Sequence, residues 1–151
     1  MGLDMYLKAK RYLSNYRPED KDLIEEIKIL APAGTMQPVE LTYQAAYWRK
    51  ANAIHSWFVK NVQDGEDDCK TYYVSTEDLE NLLEICKQVN QSQNKILAAK
   101  LLPTANGFFF GSTEYDEGYW HDIAITISQI SAAIEESKKS DHIYFEYYAS
   151  W

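Results

Sequence analysis

Two stretches of this 151-residue chain carry the residue types from which a binding or reacting site is built. The first reads Tyr47-Trp48-Arg49-Lys50-Ala51-Asn52-Ala53-Ile54-His55-Ser56-Trp57. In helical spacing Trp48, Asn52 and His55 fall at i, i+4 and i+7 and share a face, with Arg49 beside Asn52 and Ser56. Such a set suits a planar anion. The guanidinium meets its charge, the indole stacks on it, and the amide and imidazole hydrogen-bond it. The plainer reading is that Trp48 and His55 are half-buried helix residues and Arg49 is solvated. The second stretch runs from Gly107 through Phe108, Phe109 and Phe110 to Gly111, then Ser112-Thr113-Glu114-Tyr115-Asp116-Glu117. Three phenylalanines between glycines read as a short buried strand. Ser112 or Thr113 then caps a following helix, and the three acidic residues fall in its first turn, where the helix dipole favours them. Ser112, Thr113, Glu114, Tyr115 and Asp116 therefore sit on a turn held by two rigid elements, a common location for binding residues.

Other chemistries find less support. The acidic run Asp64 to Asp68 resembles a calcium loop only superficially. Cys69 stands where glycine is required, and Ser75 where the bidentate glutamate belongs. It reads as a solvated turn, with Asp67 or Asp68 able to fold back on Arg49 or Lys50. The three histidines and two cysteines show no zinc-ligand spacing. No phosphate-binding glycine loop and no nucleophile elbow occur. Cys69 with His55, or His55 with Glu114 or Asp116, would each need a contact the sequence does not establish. No catalytic residue, metal or cofactor is assigned.

These residues need elements to position them. Leu3 to Arg11 alternates apolar and polar, as a half-buried strand does. Pro18 opens a helix with an apolar face at Leu23, Ile24, Ile27 and Leu30, ended by Pro32 and Gly34. Gln37 to Tyr43 reads as a short strand and Ala45 to Val62 as a helix with a stripe at Tyr47, Ala51, Ile54, Phe58 and Val62. Thr71 to Val74 is a strand. Ser75 and Asp78 form a capping pair for a helix through Val89, broken at Asn90 to Asn94. Ile96 to Leu102 is a short helix stopped by Pro103. Trp120, Ile123, Ile127, Ile130 and Ile134 mark a long helix that frays over Glu135 to Ser140. Ile143, Phe145 and Tyr147 alternate through a final strand. The two terminal strands can pair with each other or offer an edge to a second copy in a homo-oligomer. The expected architecture is α+β in a single domain, 1–151: a small, mostly antiparallel sheet with helices packed on one face.

Composition narrows the partners. A formal charge of −8 leaves no surplus of basic residues to neutralise a phosphate backbone, which argues against nucleic acid. No apolar run reaches membrane-spanning length, and no signal peptide or acylation motif opens the chain. Two cysteines read as free thiols in a reducing cytoplasm. Twelve tyrosines suit surfaces that are apolar on one side and wet on the other.

The segments Met1 to Leu7 (MGLDMYL), Tyr47 to Val59 (YWRKANAIHSWFV), Asp64 to Tyr73 and Gly107 to Trp120 (GFFFGSTEYDEGYW) are similar to those of small uncharacterised proteins encoded by bacteriophages and prophages. The resemblance spans nearly the whole chain and implies expression in a bacterial cytoplasm during infection. It brings no established activity. Three expectations follow from the residues and this setting. The first is a non-enzymatic binder of a small anionic, nucleotide-like ligand that acts on host defence or metabolism. The second is an acidic protein-binding inhibitor of a host defence or polymerase component. The third is a small hydrolase using His55 and a carboxylate. The first and the third, and any site at all between the two stretches, require them to meet across a cleft.

Overall fold

The computed structural model describes residues 2–30 and 34–151. Its first strand, β1 (Asp4–Tyr12), follows from the alternation at the start of the chain. Leu3, Met5 and Leu7 are fully buried, while Asp4, Tyr6 and Lys8 project to the other face. Helix α1 (Pro18–Leu30) comes next, with proline at its first position. Of its expected apolar face Ile24 is buried, whereas Leu30 at the far end is exposed. Pro32, expected to end this helix, lies outside the described residues.

Helix α1 is fixed by an acid rather than by an apolar stripe. Asp20 is fully buried and accepts from Ser14 N at 2.9 Å, Arg11 Nη2 at 2.5 Å and Arg17 Nε at 2.6 Å. The Ser14 amide, joined by the two guanidinium groups, holds its carboxyl down to about 2 against the opposing effect of burial.

Strand β2 (Glu40–Arg49) corrects the reading of a helix from Ala45. β2 runs antiparallel to β1, with Met5 opposite Trp48 and Leu7 opposite Ala46, but Lys8 opposite Gln44. Ala45 is the extra residue of a bulge. It moves the apolar series from Tyr43 to Ala46 to Trp48, and the three-residue step imitates helical spacing. The helix that follows, α2 (Asn52–Asn61), is correspondingly shorter.

The acidic loop leads to β3 (Tyr72–Val74) and then to α3 (Thr76–Ser92). The expected capping box is present: Ser75 Oγ accepts from Asp78 N at 3.0 Å and the Asp78 carboxylate accepts from Ser75 N at 3.1 Å. Gln93, in the left-handed conformation, ends α3, and Asn94 caps α4 (Lys95–Leu101). Helix α5 (Glu117–Ser137) buries Ile123, Ile130 and Ile134. Strand β4 (Ile143–Ser150) buries Phe145, Tyr147 and Ala149 on alternate positions.

The four strands order as β2-β1-β4-β3, all antiparallel, so the two terminal strands do pair and occupy the centre of the sheet. The fold is α+β with a small antiparallel sheet. One sheet face carries Leu3, Met5, Leu7, Trp48, Phe145 and Tyr147 into a core shared with α2, α3 and α5. The other carries Tyr6, Tyr47 and Tyr148, whose rings pack at centroid distances of 5.2 and 6.1 Å.

The triple-phenylalanine stretch is the second correction, since it forms a loop. Phe110 N donates back to Gly107 O, Phe109 adopts a left-handed φ of 60°, and Phe108 and Phe109 are 71% and 48% exposed. Only Phe110 enters the core. Its ring lies directly over Gly107, where a Cβ would come within 2.4 Å, so that glycine is what lets the turn close.

Candidate functional site

The cleft of interest forms where β2 hands the chain to α2 and where the phenylalanine loop hands it to α5. Its volume is about 270 Å³. Arg49, Lys50 and the first turn of α2 form one wall, and Ser112, Glu114, Asp116, His121 and Asp122 the other. Two stretches some sixty residues apart in sequence thus face each other across a concavity.

Asn52 fastens the two walls. Its Nδ2 donates to Phe110 O at 3.1 Å and Ser112 O at 2.8 Å, and its Oδ1 accepts from Ala105 N at 3.0 Å. The buried amide has both protons and its oxygen engaged, so it shapes the cleft without being free for a ligand. Gly111 completes the contact at a φ of 90°, and a Cβ there would press within 3.1 Å of Lys50 Cβ. Lys50 itself has a left-handed φ of 59°. A non-glycine residue held at positive φ on a cleft wall is a feature found at functional sites.

The start of α2 is open. Ala51 stands at the cap position and offers no side-chain acceptor, and no acidic residue occupies the first turn. Asn52 N donates to Lys50 O and His55 N to Ala51 O, which leaves the N–H groups of Ala53 and Ile54 without an acceptor among the described residues. These amides carry the positive end of the helix dipole into the cleft. Arg49 adds a cation whose side chain is 55% exposed and paired with Asp4 at 3.4 Å, a length that holds it loosely. Lys50 makes no ion pair among the described residues.

The facing wall is acidic and carries its own cap. Asp116, rather than Ser112 or Thr113, caps α5, accepting from Gly118 N at 3.0 Å and Tyr119 N at 3.2 Å. Ser112 Oγ accepts from Glu114 N at 3.1 Å. Asp122 follows along α5. Burial pushes its carboxyl up to about 6; neighbouring His121 opposes this and Asp116 reinforces it. The cleft therefore has an electropositive side and a side that accepts hydrogen bonds.

The nine residues marked by the sequence divide. Arg49, Asn52, Ser112, Glu114 and Asp116 line the cleft. Trp48 does not, because its strand position turns the indole into the core, where Nε1 donates to Thr126 Oγ1 at 2.8 Å. The face imagined for Trp48, Asn52 and His55 does not exist, since a strand and a helix meet between them. His55 is buried elsewhere, with Nδ1 at 2.8 Å from the Tyr147 hydroxyl and Nε2 at 3.0 Å from Asp67. Neither Glu114 nor Asp116 is its partner, so the imagined acid–base pair is absent among the described residues. Thr113 uses its carbonyl to accept from Thr104 Oγ1, and Tyr115 uses its hydroxyl to accept from Thr104 N. Both support the loop. The acidic loop folds toward His55 and Trp151 through Asp67, and toward Lys70 through Asp68; Arg49 pairs with Asp4 instead.

Lys50, His121 and Asp122 were missed. Asp122 lies six residues beyond the cap Asp116, a spacing readable only once the cap is placed at Asp116. Lys50 becomes visible only at the strand–helix junction. Among the described residues no group of three or more His, Cys, Asp or Glu side chains could hold a metal, and no helix is long and apolar enough to cross a membrane. No protein-family model, curated protein or solved structure matches this chain.

Proposed function

We propose that the chain binds a small anionic, nucleotide-like ligand without transforming it, in the cleft between α2 and α5. The observation that carries this reading is the uncapped start of α2, whose Ala53 and Ile54 amides, without an acceptor among the described residues, belong to the cleft that Arg49 and Lys50 also line. A phosphate or carboxylate placed there receives hydrogen bonds, the helix dipole and two cations together. Glu114 and Asp122 would repel a second phosphate but accept hydrogen bonds from sugar hydroxyls. A volume of 270 Å³ sits just under the roughly 300–1,000 Å³ of sites for drug-sized ligands, which suits a sugar phosphate with any base projecting outward. In the bacterial setting that the phage resemblance implies, such a binder would sequester a host signalling molecule or occupy a metabolic step. A thermal-shift screen of inorganic phosphate, sugar phosphates and nucleoside mono- and diphosphates tests it. Stabilisation by at least one, reduced in Arg49→Ala and Lys50→Ala, is expected. A folded protein that none of them stabilises sinks the reading.

One observation favours a second reading, a protein-binding inhibitor. Phe108 and Phe109 project from the loop as an edge-to-face pair, 4.3 Å between centroids, on a chain of net charge −8. Exposed aromatic pairs of this kind anchor protein contacts. Stoichiometric capture of a host protein, lost in Phe108→Ala/Phe109→Ala but kept in Arg49→Ala, would favour it over the first.

A further inference from the structure

Away from the α2 cleft, the first half of β2 is an open sheet edge. Leu13 N donates to Val39 O at 2.9 Å, which makes those two a hydrogen-bonded pair. Such pairs alternate along an antiparallel ladder, so Arg11 with Leu41 and Ala9 with Tyr43 are bonded pairs too. The N–H and C=O groups of Thr42 and Gln44 therefore point outward, away from β1. Both residues are exposed, and none of the four groups has a partner among the described residues. The second half of the strand differs. There the Gln129 amide bonds both Tyr47 N and Tyr47 O, standing in for a neighbouring peptide group. A groove of about 540 Å³ opens beside the uncovered half, with Leu41, Tyr43 and Gln44 on one side and Ala132, Ala133 and Glu136 of α5 on the other. An extended strand laid along this edge supplies main-chain partners two residues, about 7 Å, apart. It also supplies side chains at alternate positions to fill the apolar groove. Charge selects the kind of strand. Arg11 on the lining is neutralised by Asp20, whereas Glu136 is exposed and pairs only with an equally exposed Lys139, on a chain of net charge −8. A second copy would bring the same charge to the seam, and a basic segment complements it.

We infer that the Thr42–Gln44 edge of β2 takes up an extended, basic segment of another protein as a fifth strand, with its apolar side chains in the groove beside α5. This surface is independent of the α2 cleft and of the exposed phenylalanine pair. The probe is a seven-residue peptide of alternating lysine and leucine, capped at both ends and used below the concentration at which it self-associates. Its controls are the same peptide methylated at every backbone nitrogen, and a counterpart with glutamate in place of lysine. Titration calorimetry on the full chain should show one site for the lysine peptide. Methylation should weaken it by about tenfold or more, the scale of the lost main-chain hydrogen bonds, and the glutamate peptide should bind more weakly than the lysine one. Thr42→Pro removes an outward N–H that bonds nothing in the fold, a change that edge strands tolerate, and should weaken binding by a similar factor. Ala132→Phe, at an exposed position on α5, fills the groove without touching the edge. It should also weaken binding, with the thermal transition unchanged. No binding of the lysine peptide, equal binding by either control, or binding undiminished by either substitution in a folded protein overturns the inference. So does a concentration-dependent dimer of the native chain that Thr42→Pro disperses, which would make the edge a contact between copies.

Discussion

At the residue scale, the cleft depends on Asn52 more than on any group that would touch a ligand. Asn52→Ala removes three hydrogen bonds and leaves the half-buried Ala105 N–H and the Phe110 and Ser112 carbonyls without that partner. We expect a loss on the order of 3 kcal/mol, read as a lower urea midpoint at unchanged slope. The sequence marked Asn52 as a ligand-binding residue. Its type was legible as important, but its role was not, because its partners Ala105, Phe110 and Ser112 lie more than fifty positions away. Asp122 gives the opposite kind of test. Its carboxyl titrates at about 6 in the fold against 3.8 in a model peptide. The folded state therefore holds the proton more tightly. The stability this contributes is complete below about pH 4 and lost as pH rises through about 6. Asp122→Asn should remove that slope and raise stability at pH 7 by on the order of 2 kcal/mol, measured by urea unfolding at stepwise pH. Binding of an anion whose own charge is constant over this range, such as sulfate, should also strengthen as pH falls through 6 in the native protein, and do so less in Asp122→Asn.

At the scale of elements, strict alternation and capping signals were legible, and irregular backbone was not. β1, β4 and the Ser75–Asp78 cap follow from period and chemistry alone. β2 escaped because the bulge at Ala45 broke its alternation and supplied a false helical step. The phenylalanine loop escaped because apolar content marks a strand only when a neighbour can pair with it. β2 is also an edge strand, and its protection comes from a helix. Gln129 on α5 accepts from Tyr47 N at 2.7 Å and donates to Tyr47 O at 3.3 Å, occupying the outer side of the strand as another strand would. Gln129→Leu should free that amide and carbonyl for a second molecule. Light scattering at increasing concentration is expected to show association in the variant at levels where the native chain scatters as before.

At the scale of the whole molecule, the first and last strands lie side by side at the centre of the sheet, and β3 pairs through β4 alone among the described strands. Removing 143–151 therefore takes away a central strand and orphans β3. The shortened chain should lose its cooperative thermal transition, followed by circular dichroism, while single-residue surface changes on α1 should not have that effect. A chain assembled in this order also meets a timing problem at the ribosome. Until Ile143–Ser150 emerges, β1 has β2 on one flank and an unsatisfied flank on the other, with Leu3, Met5 and Leu7 still in want of Phe145 and Tyr147. Until that strand arrives the nascent sheet is a half-zipped ribbon, which any passing chaperone or sister chain could grip.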